Sequence, residues 1–150
     1  MSLLSGRDQI DLYYFGRGHT NGDTWVVFPA VRAMHTGDMF ARKHTPFIDV
    51  DNSGGSAVEL SQSLAKVVAT IKNVDTIIPG HSTIMTWNDL SEFADYYRDF
   101  LTTVEAGIKA GKTVEEVANA YQTPAKYRGY GTDPQRVRAN TQAIYSELRK

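Results

Sequence analysis

Apolar and polar residues in the first half of the chain follow the two-residue period of β-strands. In the segment 10–15, Ile10 and Leu12 alternate with Asp11, a pattern that favours a half-buried strand. Three further short apolar runs, rich in β-branched and aromatic residues, predict strands at 25–28, 31–35 and 75–78. Strand-forming segments therefore recur up to about residue 80.

The remaining patterned segments have the period of helices. Between residues 56 and 73, apolar side chains fall on one helical face, and Ser56 and Glu59 have the spacing of a capping box. After residue 86 the pattern is helical almost throughout. The helix starts predicted there are Thr86 or Asn88, Thr113 with Glu116, and Asp133 followed by Pro134.

The order of these elements predicts an α/β fold. A strand, a helix and a strand follow one another between residues 31 and 78, as in one layer of helices on a sheet. We expect a single domain over 1–150, with a mixed sheet and the candidate site in about 1–85 and a helical region in 86–150. The helix at 56–73 is expected to pack on the sheet through Leu60, Leu64, Val67 and Ile71.

Composition narrows the classes of function. The chain of 150 residues is 41% hydrophobic and has 16 basic and 17 acidic residues, so it has no charge excess for binding nucleic acid. It contains no cysteine, which excludes disulfides and thiolate metal ligands. No apolar run approaches the ~20 residues of a membrane span, and no signal-peptide pattern is present. We expect a soluble protein in an undetermined compartment.

Three residues of metal-ligand type stand beside glycines next to predicted strands: His19, Asp38 and His81. Imidazole and carboxylate groups suit zinc and similar divalent ions. Each residue alone also has an ordinary structural explanation, since turn histidines and aspartates commonly bond nearby backbone groups. Because ligand sites form where strands of α/β sheets end, we expect the three side chains to lie together at one edge of the sheet.

The motifs Gly18-His19-Thr20-Asn21-Gly22-Asp23, Gly37-Asp38-Met39-Phe40 and Pro79-Gly80-His81-Ser82 resemble the distal motifs of the metallo-β-lactamase superfamily. The resemblance covers about 8–85, and the later helices are similar to C-terminal helices of many hydrolases in that superfamily. It implies half of an αβ/βα sandwich. It also implies that His19 completes a first metal site, that Asp38 bridges two metals, and that His81 completes the second site.

By the same resemblance, the parent protein is a zinc-type metal-dependent hydrolase. It would use metal-bound hydroxide to cleave an ester, thioester, lactone or amide bond in a small-molecule substrate. Aspartate rather than cysteine at position 38 points to the broader hydrolases of the superfamily.

The family's upstream His-x-His-x-Asp-His motif has no counterpart in this sequence. The two other histidines, His35 and His44, have no family role and are expected to be solvated loop residues. We therefore expect the C-terminal half of the fold, with partial or absent metal and little activity as an isolated chain. Two alternatives are a non-catalytic interaction module that retains the fold, and a small binding domain unrelated to the superfamily.

A half-sandwich leaves one face of its sheet without a partner. We expect Trp25, Val27 or their neighbours to be exposed on that face, and a homo-oligomer or a missing N-terminal half to cover it. In the alternative arrangement, the C-terminal helices fold over the face and the chain is a monomer.

Overall fold

Six strands form one mixed sheet in the computed structural model, which describes residues 1–149. The strands lie in the sheet in sequence order, and all neighbours are antiparallel except β4 and β5, which are parallel. The strands are β1 (Ser2–Leu3), β2 (Ile10–Tyr13), β3 (Trp25–Phe28), β4 (Ala33–Gly37), β5 (Thr76–Pro79) and β6 (Met85–Thr86). The predicted α/β class with a mixed sheet is confirmed.

Five α-helices complete the described chain. They are α1 (Val50–Ser53), α2 (Ala57–Thr70), α3 (Trp87–Lys109), α4 (Val114–Ala120) and α5 (Pro134–Leu148). Helix α2 lies in the connection between β4 and β5, and a connection of this length is what two parallel neighbouring strands require. The parallel pairing brings the carboxyl ends of β4 and β5 to the same edge, where Gly37 is in register with Pro79.

Side-chain caps fix the helix starts. Thr86, rather than Asn88, caps α3, and the predicted capping box of Thr113 and Glu116 is formed at α4. The predicted box at α2 is only half formed. Ser56 accepts the Glu59 N–H at 3.0 Å, but the Glu59 carboxylate binds the Arg17 guanidinium at 2.8 Å instead of returning to the cap.

The core lies between one face of the sheet and the helices. The predicted apolar face of α2 is buried in it, together with the aromatic side chains of α3. Among the fully buried side chains are Trp25, Met34, Ile77, Leu60, Leu64, Phe93 and Tyr97. Burying each large apolar side chain contributes about 1.5–3 kcal/mol, so this single cluster holds the sheet and helices together.

No helix within residues 1–149 is packed on the opposite face of the sheet, where the side chains are only partly buried. Its central row is formed by Leu12, Val26, His35 and Ile78, which are in register across four strands and are half-buried or exposed. The expectation that Trp25 and Val27 are exposed is wrong, because the pleat turns both toward the helices. Their neighbour Val26 lies on the open face instead.

Local backbone geometry accounts for the differences in strand bounds. Strand β4 begins at Ala33 rather than at 31, because Pro29–Val31 forms a 3₁₀ turn and Arg32 has a left-handed conformation. Strands β1 and β6 were not expected, since two residues each are too few to show a period. No helix within residues 1–149 is both long and apolar enough to span a membrane.

Helix α5 is fastened to the start of α2 by one carboxylate. Glu147 accepts hydrogen bonds from the Ser56 hydroxyl at 2.5 Å and from the Ala57 N–H at 2.8 Å. The first N–H groups of a helix have no partner within the helix, so an acidic side chain here satisfies them and also complements the helix dipole. The last described helix thereby holds the segment that leads into α2.

We expect Glu147→Gln to lower the free energy of unfolding by about 1.5–3 kcal/mol, the range for hydrogen bonds to charged groups. The matched control is Glu115→Gln, which removes an exposed ion pair with Arg138 and should cost less than about 1 kcal/mol. Urea unfolding followed by circular dichroism measures both. Equal losses in the two variants would show that Glu147 is an ordinary surface residue.

Candidate functional site

His19 is held in a loop between β2 and β3 by backbone hydrogen bonds to the residues that cap α1 and α2. The Gly18 carbonyl accepts the Ser56 N–H at 3.0 Å, and the His19 carbonyl accepts the Asp49 N–H at 2.9 Å. Asp23 closes the loop by accepting the Thr20 N–H at 2.7 Å. The loop is therefore tied to two other segments, and His19 does not depend on its own short stretch of chain for its position.

Neighbouring residues complete this anchoring. A hydrogen bond from the Ser53 hydroxyl lowers the pKa of Asp49, so this carboxylate stays ionised as the cap of α1. Gly55 packs so closely on the loop that an added Cβ would lie 2.9 Å from the Gly18 carbonyl oxygen. The close approach requires glycine at this position.

Asp38 begins a single 3₁₀ turn, Asp38–Phe40, at the end of β4. Gly37 before it has φ of +51° and ψ of −138°, a conformation that favours glycine. Buried Thr36 donates its hydroxyl hydrogen to the Phe40 carbonyl at 2.9 Å and fastens the turn to the strand. The backbone is therefore fixed on both sides of Asp38, and this sets the direction of the Asp38 side chain.

His81 is placed beside Asp38 by the parallel pairing of β4 and β5. The Gly80 N–H donates to the Gly37 carbonyl at 2.9 Å, and the His81 N–H donates to the Ala41 carbonyl at 3.1 Å. An added Cβ at Gly80 would collide with the Asp38 carboxylate. The glycine therefore lets the two segments approach closely enough for His81 to reach Asp38.

The structure brings the three predicted site residues together. The Nε2 atom of His19 lies 3.5 Å from one carboxylate oxygen of Asp38, and the Nε2 atom of His81 lies 3.2 Å from the other. The prediction that they meet at one edge of the sheet is confirmed. The His19 side chain is 18% exposed and that of His81 66% exposed, so the cluster is open to solvent on the His81 side.

The orientation of the His19 ring determines which kind of group can lie between His19 and Asp38. Its Nδ1 atom is 3.0 Å from the Phe47 carbonyl oxygen, which accepts hydrogen bonds only, so Nδ1 carries a proton. In the neutral ring this tautomer leaves a lone pair on Nε2, facing the Asp38 carboxylate. Two acceptors in this position repel each other unless a proton or a metal cation lies between them.

The distances between these donor atoms allow a test of metal binding. Two ligands of one tetrahedral zinc, each at about 2.0–2.1 Å, are separated by about 3.3–3.4 Å, close to both observed separations. Asp38 thus has the spacing of a ligand pair with either histidine. However, no three histidine, aspartate or glutamate side chains within residues 1–149 converge as a metal-holding group. The two histidines face different oxygens of the Asp38 carboxylate.

The three residues line a cavity of about 120 Å³. Its wall also includes residues that the sequence did not single out, from the loop after Asp38 and from α3 and α5. These are Ala41, Arg42, Thr45, Pro46, Phe47, Phe93 and Arg136. Phe47 has the clearest role among them, since its carbonyl orients His19.

The two remaining histidines have different environments. His44 lines the cavity and is half-buried, with its Nδ1 atom 3.1 Å from the Thr45 carbonyl oxygen. The expectation of a solvated loop residue is therefore wrong for His44, because the segment at Gly131 pairs with it. His35 is exposed as expected, but it lies within β4 on the open face, where Nδ1 accepts the Gly37 N–H.

No protein-family model matches the sequence, and no curated protein matches it. Solved structures do match. The sec-alkylsulfatase Pisa1 from Pseudomonas sp. has a TM-score of 0.74 and 14% identity, over 98% of this chain and 25% of its own. A metallo-beta-lactamase from Pontibacter korlensis has a TM-score of 0.53 and 16% identity, over 65% of this chain and 45% of its own.

The DIM-1 metallo-beta-lactamase is also similar, with a TM-score of 0.51 and 18% identity over 66% of this chain. This chain spans between a quarter and a half of the length of the matched proteins, since it covers 25% of Pisa1 and 44% of DIM-1. At identities of 14–18%, these likenesses show the fold. The chain has the fold of the C-terminal half of a metallo-β-lactamase superfamily protein.

Proposed function

We propose that this chain is the C-terminal, metal-binding part of a hydrolase that cleaves an ester, thioester, lactone or amide bond in a small molecule. The observation that carries the proposal is Asp38 standing between the Nε2 atoms of His19 and His81. Support comes from the cavity beside them and from the fold, which is similar to that of an alkylsulfatase and of metallo-beta-lactamases.

A divalent metal such as zinc, when bound, supplies Lewis acidity and lowers the pKa of water near it. In this chain Asp38 and His19 would hold one ion, and Asp38 and His81 a second. The Phe47 carbonyl keeps the proton of His19 on Nδ1 and leaves Nε2 available as a ligand. Orientation of a ligating histidine by such a partner is common in metal sites and affects metal affinity.

Two protein ligands for each ion are fewer than the three or four that zinc sites use. The described residues provide no third one, so we propose that metal binding is weak in this chain. A hydrolase with this site would need further ligands, which the upstream motif of the superfamily supplies in the resemblance noted above. Activity is accordingly proposed for the parent protein and not for this chain alone.

We expect zinc to bind weakly and Asp38→Asn to weaken binding by at least about tenfold, comparable to the loss of a partner that orients a ligand. Asp38 is chosen because it faces both histidines. The matched control is Asp8→Asn, which makes the same change at an exposed aspartate before β2 and should leave affinity unchanged. Isothermal titration calorimetry measures all three proteins.

Two tightly held metals per chain, found by elemental analysis of purified protein, would contradict the expectation of weak binding. Equal weakening by Asp38→Asn and Asp8→Asn would contradict the assignment of the site.

The isolated chain should hydrolyse esters, thioesters and β-lactams at or near the background rate. With an incomplete set of ligands, the attacking group is not held in position, and misplacement alone can cost ~100-fold. Chromogenic ester and β-lactam assays with added zinc provide the measurement. Robust turnover that is lost in His19→Ala and on addition of a chelator would show that the chain is a complete catalyst.

We also propose that another layer of polypeptide covers the open face of the sheet. When this chain is on its own, that layer is a second copy of the same chain. Val26, Ile78 and Leu12 are adjacent on that face and only partly buried. A two-fold contact between such faces would bury them. The described C-terminal helices do not cover this face, which argues against the monomeric alternative.

Light scattering coupled to size exclusion should therefore detect a dimer at micromolar concentration that dissociates on dilution. Val26→Asp should shift the population to monomer, because an unpaired charge at a buried interface is costly. Ala65→Asp, at an exposed position of α2, is the matched control and should leave the dimer intact. A monomer at every concentration would refute self-association.

A further inference from the structure

The cavity beside the histidines has more positively charged than negatively charged side chains. Its wall contains two guanidinium groups, those of Arg42 and Arg136, and one carboxylate, that of Asp38. The chain as a whole has a formal charge of −1, so this local excess is not a consequence of composition. A concave site with a net positive charge attracts anionic ligands.

Arg136 is the most firmly placed of the cations. It lies in the first turn of α5, its Nη1 group points to the Thr45 carbonyl oxygen at 3.4 Å, and its side chain is 32% exposed. The Oδ2 atom of Asp133 is 3.6 Å from Nε, while its Oδ1 atom accepts the N–H groups of Gln135 and Arg136 as the cap of α5. The closest contact of Asp133 is thus with Nε rather than with the two Nη groups. The planar end of Arg136 therefore keeps donors for a ligand.

Arg42 and its neighbour Lys43 differ in their partners. Lys43 lies 2.6 Å from Asp89 and 3.0 Å from Glu92. Burial by itself raises the pKa of Asp89, but hydrogen bonds from Lys43 and Thr86 outweigh it and lower the pKa to about 2. The charge of Lys43 is thus paired with two carboxylates outside the cavity wall. Arg42 lines the cavity and has no acidic partner within salt-bridge distance among residues 1–149.

Phe47 gives the mouth of the cavity an apolar surface. Its side chain is 55% exposed, and its ring lies between the His19 ring at 5.6 Å and the Arg136 guanidinium at 6.0 Å. An exposed aromatic ring flanked by a candidate metal ligand and a cation provides a contact for the apolar part of a ligand whose charged end lies deeper.

We propose that this cavity binds the anionic group of an organic substrate through Arg136 and Arg42, with the apolar part of that substrate on Phe47. The proposal rests on the proposed function in taking the cavity as the substrate site, and it specifies the substrate class as an organic anion. A volume of about 120 Å³ has room for several water molecules, and hence for a group as small as a carboxylate or sulfate.

The planar guanidinium of Arg136 matches two oxygens of a carboxylate or sulfate, a geometry that a lysine ammonium does not reproduce. Position 136 therefore allows charge and geometry to be tested separately. Removal of the guanidinium should weaken binding most, and its replacement by an ammonium should have an intermediate effect.

The test is a ¹H–¹⁵N NMR titration of the 150-residue chain with hexanoate, hexyl sulfate and uncharged hexanamide, in the presence of a chelator. We expect both anions, but not the amide, to shift the Arg136 side-chain signal and the amide signals of Arg42 and Phe47. Arg136→Gln should weaken anion binding about tenfold or more, and Arg136→Lys less. The matched control is Arg138→Gln, on the same helix but paired with Glu115, which should leave affinity unchanged.

Equal affinity for hexanoate and hexanamide, or equal weakening by Arg136→Gln and Arg138→Gln, would overturn the proposal. The two anions distinguish a carboxylate from a sulfate preference, and either preference supports an anion site. Because the titration contains no free metal, its failure would leave the zinc measurements unaffected. Conversely, a loss of zinc binding would not remove the anion response.

Discussion

The parallel pairing of β4 with β5 is the constraint on which the candidate site depends. It aligns Gly37 with Pro79 and is extended beyond the strands by hydrogen bonds from the Gly80 and His81 N–H groups. These contacts place an aspartate and a histidine, 43 residues apart in sequence, within 3.2 Å. Helix α2 makes this pairing possible because it lies in the connection between the two parallel strands, and it is buried in the core through Leu64. The stability of the core and the geometry of the site are therefore linked.

The second half of the site depends on packing of a different kind. The loop of His19 has little regular structure, and its position comes from backbone hydrogen bonds to Asp49 and Ser56 and from the close approach of Gly55. Ser56 is in turn bound by Glu147 of α5. The C-terminal helix therefore contributes to the site twice, through this chain of contacts and through Arg136 in the cavity wall.

The sequence predicts much of this fold because burial imposes periods of two and 3.6 residues on strands and helices. It also identifies His19, Asp38 and His81, since a glycine beside each reveals a tight turn. It does not reveal Arg136 or Phe47. Arg136 contacts the Thr45 carbonyl, which lies 91 residues earlier in the sequence. Phe47 acts through its backbone carbonyl oxygen, a group that every residue has. Which face of β3 is buried also depends on packing, so the sequence leaves open whether Trp25 and Val27 or their neighbour Val26 face the helices.

We propose Asp38 and the two histidines as a cation site in which the Phe47 carbonyl fixes the tautomer of His19. Long-range ¹H–¹⁵N NMR of the imidazole nitrogens, recorded before and after addition of zinc, tests it most directly. We expect a neutral His19 protonated at Nδ1, and zinc-induced shifts at the Nε2 atoms of both His19 and His81 that disappear in Asp38→Asn. A neutral His19 protonated at Nε2, or zinc shifts confined to His35 and His44, would contradict the account.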